Sequence, residues 1–168
     1  MSPRDVGRSQ LYEAERLVLR MFDRAAQGSV GTSRTVQIAG TELTLPSEAR
    51  FSSADAVGDY VARVLAMPAV RERFPRAGVP VTVRARRGYR AAEYRWALAE
   101  IAIPESREGR WALRELVVLH ELAHHLDDGD GPAHGRGFVL TLTELVGTVL
   151  GPEAGFVYRV ILSDSGVG

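Results

Sequence analysis

The chain of 168 residues is 45% hydrophobic and 25% charged, the composition of a folded globular protein rather than a disordered one. Its 21 basic and 21 acidic residues cancel, so no global field favours nucleic acid or an anionic membrane as a partner. It contains no cysteine, which excludes disulfide frameworks and Cys-based zinc ribbons.

In chain order, the predicted elements begin with an amphipathic helix over 9–26. Leu11, Ala14, Val18, Met21, Phe22 and Ala25 recur near helical spacing, and Gly28 ends the run. Residues 35–45 alternate around Ala39-Gly40 and predict a short hairpin closed by Pro46. Ser53 opens a second helix with Ala56, Val57, Tyr60, Val61, Val64 and Leu65 inward; Pro68 breaks it, and 69–74 add a further turn. Strands are expected over 79–86 and 98–103, the second stopped by Pro104. The pattern over 109–127 is helical, with Trp111, Leu113, Leu116, Val117, Leu119, Leu122 and Ala123 on the apolar side. A Gly- and Asp-rich turn leads to His134, then helices follow over 136–150 and 152–162. The sum is one α+β domain over 1–168, with a small mixed or antiparallel sheet. The polar first ten residues lead into no apolar signal-peptide core, and the apolar run 138–150 is too short to span a bilayer. These features suggest a soluble, cytoplasmic protein with no membrane partner. Nothing in the sequence sets an oligomeric state.

The segment His120-Glu121-Leu122-Ala123-His124 has the form H-E-x-x-H. On a helix, residues four apart are neighbours on one face, so the two imidazoles can converge on one Zn²⁺ at about 2.0–2.1 Å. Glu121 stands one step round the helix, where a carboxylate can act on water as general base without being a ligand. A catalytic zinc needs a third protein ligand. Of the four histidines, His125 points about 100° away from His124, while His134 can be returned by the turn, whose glycines allow left-handed backbone. Glu144 is a rival third ligand. Asp127, Asp128 and Asp130 are read first as turn formers and second as carboxylates orienting the imidazoles. His125 is read as a residue behind the ligands or at the surface. Tyr89 and Tyr94 are read as packing residues, with oxyanion stabilisation the less favoured role.

These residues carry a resemblance. His120-Glu121-Leu122-Ala123-His124 followed by His134-Gly135-Arg136-Gly137-Phe138 resembles the SprT-like zincin metallopeptidases, which carry H-E-x-x-H and a third-ligand His in an H-G-x-x-F context. Ile101-Ala102-Ile103-Pro104, the run 119–126 and Pro132-Ala133-His134-Gly135 are similar to a family of small actinobacterial metallohydrolases. The likeness covers roughly residues 90–140. It implies a minimal zincin-like fold, one Zn²⁺ on His120, His124 and His134, Glu121 as base, and a peptide or protein substrate. It also implies that the strand over 98–103 forms the cleft edge that pairs with an extended peptide. Gly137 stands where many SprT-like proteins have Glu, and the DNA-linked role of some of them is not carried over.

The middle of the chain is Arg-rich (Arg71, Arg73, Arg76, Arg84, Arg86, Arg87, Arg90, Arg95) and the following segment is acidic. The simpler expectation is a solvated strand face whose charges pair; the sharper one is a patch for nucleic acid or an acidic peptide. That face supplies the alternative to a hydrolase: a non-enzymatic, zinc-stabilised binding module.

Overall fold

Leu11, Ala14, Val18 and Phe22 line the buried side of the first helix, α1 (Val6–Gln27), as their spacing predicts. The computed structural model describes residues 6–27, 34–88 and 91–167. Gly28, expected to end α1, lies outside them. The hairpin follows as β1 (Thr35–Ile38) and β2 (Thr41–Thr44), antiparallel, with Ile38 paired to Thr41. Ala39 and Gly40 both have positive φ, 48° and 75°, which matches the twist a two-residue hairpin loop needs.

Next come α2 (Ala54–Ala66), α3 (Pro68–Arg73) and β3 (Thr82–Arg86). The Ser53 hydroxyl accepts from Ala56 N at 3.1 Å, capping α2, and Glu105 accepts from Ala54 N at the same end. Pro68 sits in the first turn of α3, where its missing N–H costs nothing. Then follow β4 (Glu93–Arg95), β5 (Glu100–Pro104), α4 (Glu115–Leu126), α5 (Arg136–Leu150) and α6 (Pro152–Asp164). The fold is α+β, as expected. Among the described residues, no helix is long and apolar enough to cross a membrane.

The chain gathers into two compact units, Met1–Ser47 with Gly129–Gly168, and Glu48–Asp128. In the first, α6 packs on α1 and on α5. Phe138, Leu142, Leu145, Val157 and Tyr158 are buried at these contacts or nearby. Gly147 and Gly155 let the α5 and α6 backbones approach closely: a Cβ on Gly155 would stand 2.9 Å from the Gly147 Cα.

The second unit holds a three-stranded sheet in the order β3-β5-β4. β3 and β5 run parallel, with Val83 opposite Ile101; β4 and β5 run antiparallel, with Tyr94 opposite Ile101. This corrects one expectation. The strand expected to be the cleft edge, β5, is the central strand. The short strand β4 was not foreseen; it and β3 bond β5 on both flanks, leaving neither for the peptide that the resemblance implies. Between them, a 3-10 turn over Trp96–Leu98 and a left-handed Ala99 (φ 46°) reverse the chain.

The helix expected over 109–127 is divided. A 3-10 segment (Arg107–Ala112) is followed by a break, and α4 begins only at Glu115. Trp111, expected inside, is 48% exposed. The break follows from tertiary pairing. Phe51 N donates to Leu113 O and Glu115 N donates to Ala49 O, each at 3.0 Å, which holds Arg114 extended. Ion pairing reinforces the joint. Arg114 donates to the Glu48 carboxylate through Nε at 3.0 and 3.1 Å and through Nη2 at 2.6 Å. Leu116 N adds a 3.0 Å bond to the same carboxylate, which therefore sits at the positive end of α4. Both side chains are nearly buried, so removing either partner of such a pair typically costs about 3–5 kcal/mol. Glu115 is likewise enclosed, accepting from Ala49 N at 2.7 Å and from the Tyr60 hydroxyl at 2.6 Å. These bonds set the axial position of the helix that carries the histidines.

Candidate metal centre

α4 is almost wholly buried, and Leu116, Val118, Leu119, Leu122, Ala123 and Leu126 are its apolar contacts. His120 and Glu121 are buried with them, at 3% and 6% exposure, and His124 is half-buried. A helix that encloses such groups needs compensation for their lost hydration. A cation held among the histidines would supply part of it: one nitrogen from each of His120, His124 and His134 lies within 4.8 Å of the others. Two nitrogens bound at about 2.0–2.1 Å to one tetrahedral ion stand ~3.3 Å apart, so the cluster needs little adjustment to hold one. Neutral imidazoles suit zinc, and three of them leave the fourth position for water or substrate. The donor set therefore fits the expected ion.

Each histidine has aromatic neighbours within its own unit. The His120 and His124 rings meet edge to face with centroids 5.0 Å apart. His134 lies between Tyr12, at 5.6 Å, and Phe138, at 5.3 Å. The Nε2 atoms of His120 and His134 are shut off from solvent. Tyr94 lies parallel to His124, with an interplanar angle of 8° and centroids 6.5 Å apart.

Of the alternatives open in the sequence, Glu144 is not in the group of converging ligands, nor are Asp127, Asp128 and Asp130. Asp127 stands at the end of α4, its backbone N–H donating to Ala123 O, while Asp128 and Asp130 are exposed. The turn to His134 differs from expectation in one respect. Gly129 and Gly131 do not use left-handed backbone; the chain is turned by Gly135 N donating to Pro132 O at 2.9 Å. Gly135 supplies room instead, since a Cβ there would stand 3.1–3.2 Å from Pro132.

His125 is fully buried and sits in a polar nest of its own, so a surface position is excluded. Its Nδ1 lies 2.8 Å from the Tyr94 hydroxyl, and its Nε2 lies 3.0 Å from Val79 O and 3.2 Å from Arg76 O. Burial lowers its pKa; the bonds to the Val79 and Arg76 carbonyls oppose that shift, while the nearby Arg76 cation adds to it. Burial raises the Tyr94 pKa, partly offset by Arg76. The Arg76 guanidinium in turn lies 4.0 Å over the exposed ring of Trp96. This network was not foreseen; the doubled histidine His124-His125 was its only trace in the sequence. Tyr12 beside His134 left none. Tyr89 and Arg90 lie outside the described residues.

Three arginines of the Arg-rich stretch form local pairs. Arg84 and Arg95 share Glu100, at 3.1 and 3.5 Å, and Arg86 meets Glu93 at 3.5 Å. These pairs are solvent-exposed in part and contribute little to stability. They agree with a solvated, charge-paired strand face.

No protein-family model matches the chain, and no significant match is found among curated proteins or solved structures.

Proposed function

We propose that the chain is a zinc-dependent hydrolase, a metallopeptidase that cleaves peptide bonds with Glu121 as general base. One observation carries this reading: three imidazoles converge on one point, and a carboxylate sits beside the first of them on the same helix. The resemblance of the H-E-x-x-H segment and of His134-Gly135 to SprT-like zincins supports it. Zinc, when bound by His120, His124 and His134, supplies Lewis acidity and brings the pKa of water towards ~7. The remaining steps belong to the protein. The Glu121 carboxylate accepts a proton from the attacking water and delivers it to the departing amide nitrogen. The apolar surroundings of α4 keep bulk water from competing for that carboxylate. The surrounding rings hold the imidazoles in place. Peptide or protein is the substrate class we assign, and the cytoplasm the compartment; a cysteine-free chain is compatible with a reducing one.

The test is zinc content together with hydrolysis of a broad peptide library. Wild type should bind one zinc per chain. Glu121→Gln should retain the zinc and lose hydrolysis, by at least about 100-fold for removal of the base. His134→Ala should lose most of the zinc, and Glu144→Ala should not. A wild type without zinc, or the reverse order of the last two variants, overturns the assignment.

A further inference from the structure

Hydrogen positions around His125 follow from the chemistry of its neighbours. Two carbonyl oxygens, Val79 O at 3.0 Å and Arg76 O at 3.2 Å, face Nε2, and carbonyls only accept. Nε2 therefore carries the hydrogen. Nδ1, the other ring nitrogen, lies 2.8 Å from the Tyr94 hydroxyl, so that phenol is engaged by His125 rather than left free for an oxyanion that a substrate would develop.

The geometry points to a different role: Tyr94 is a positioning residue for the metal centre, tethered by His125 and acting on His124 through its ring, which lies parallel to the imidazole and offset from it. This inference rests on the metal reading above. Three restraints fix the phenol. Tyr94 is the middle residue of β4, in register with Ile101 on β5. Its hydroxyl is held by His125. Its ring meets the Trp96 ring edge to face, at 6.1 Å. His125 is itself anchored by three contacts at two atoms, because Arg76 Nε donates to its backbone carbonyl at 2.8 Å in addition to the two contacts at Nε2. The ring so held lies within 8° of parallel to the His124 imidazole. Rotation of His124 about its side-chain bonds would break that parallel contact. A metal ligand must be aimed as well as near, and groups that aim ligands commonly set affinity as strongly as some ligands do. His124 and His125 thus divide the work of adjacent residues on α4: one turns to the metal, the other to the strand that orients the first.

The experiment compares wild type, Tyr94→Phe and Tyr94→Leu by competition for Zn²⁺ against a chromogenic chelator. The visible spectrum of the Co²⁺ form reports ligand geometry, and melting of the metal-free protein controls for folding. Tyr94→Leu, which loses ring and tether, should bind zinc about 10–100-fold more weakly and show an altered Co²⁺ spectrum. Tyr94→Phe keeps the ring but loses the tether, so it should fall between wild type and Tyr94→Leu in both readouts. If Tyr94→Leu fails to fold, the Phe variant decides alone. A Phe variant with unchanged zinc affinity and Co²⁺ spectrum overturns the inference, whether or not hydrolysis suffers. So does a folded Leu variant with wild-type affinity, and either result leaves the metal reading standing. A wild type that binds neither ion overturns both.

Discussion

The hydroxyl of Tyr60 donates to a carboxylate in the interior, and this has a measurable consequence at alkaline pH. Burial, together with the bond to Glu115 and the charge of that group, pushes the Tyr60 pKa far above the usual tyrosine value of 10. The unfolded chain loses this proton near pH 10 while the folded chain keeps it. The stabilisation is therefore fully present below about pH 10 and is lost as pH rises beyond it, at about 1.4 kcal/mol per pH unit. Urea unfolding at a series of pH values above about 9 should show that slope, and Tyr60→Phe should flatten it. Equal slopes in the two proteins would place the loss elsewhere. Single residues were unequally legible in the sequence. His120, Glu121 and His124 stand out because helical periodicity alone puts them on neighbouring faces. His134 stands out because few histidines compete with it. His125 does not, because its partners Tyr94, Arg76 and Val79 come from another part of the chain, and no local spacing joins them.

At the scale of elements, the contact between α5 and α6 separates two glycines that look alike. A methyl group on Gly155 would meet the backbone of α5 at 2.9 Å, and backbone cannot step aside as a side chain can. One on Gly147 would stand 3.5 Å from the Gly155 Cα, an ordinary contact. Both lie inside helices, where Ala is favoured over Gly by about 0.8–1.0 kcal/mol. Gly147→Ala should therefore be neutral or mildly stabilising, and Gly155→Ala should cost about 1–3 kcal/mol. Denaturant midpoints measure both; a shared sign would mean that the two helices adjust freely. The elements read well from sequence are those with long periodic patterns or strong punctuation: α1, α2, α5, α6 and the Ala39-Gly40 hairpin. Those misread were decided by partners distant in the chain. The expected single helix over 109–127 yields at Arg114 because residues 49–51 claim its backbone and Glu48 its guanidinium. β4 has three residues, too few for an alternation to be seen.

At the scale of the whole molecule, composition and element order sufficed for the α+β class, but not for which strand lies beside which. Parallel and antiparallel partners of β5 differ in hydrogen-bond geometry, not in the side chains they require, so the order β3-β5-β4 leaves no mark on periodicity. The three neighbouring histidines were legible because the proposed metal chemistry constrains residue type; the rings beside them were not, since Tyr12, Tyr94 and Phe138 equally suit a core. The strand order also sets how the sheet meets solvent over time. Glu100–Pro104 is bonded on both flanks and is mostly buried, whereas Glu93–Arg95 lies at an edge and is largely exposed. Exchange of amide hydrogen for deuterium requires each bond to open, and opening is far easier at an edge. Amides of Ile101, Ala102 and Ile103 should thus be among the last in the sheet to exchange, and those of β4 among the first. Peptides covering β4 that stay protected as long as those covering β5 would contradict that order. On that order the phenol of Tyr94 rides on an edge strand of a slower-exchanging sheet, so the ring beside His124 is carried by a part of the sheet expected to open early.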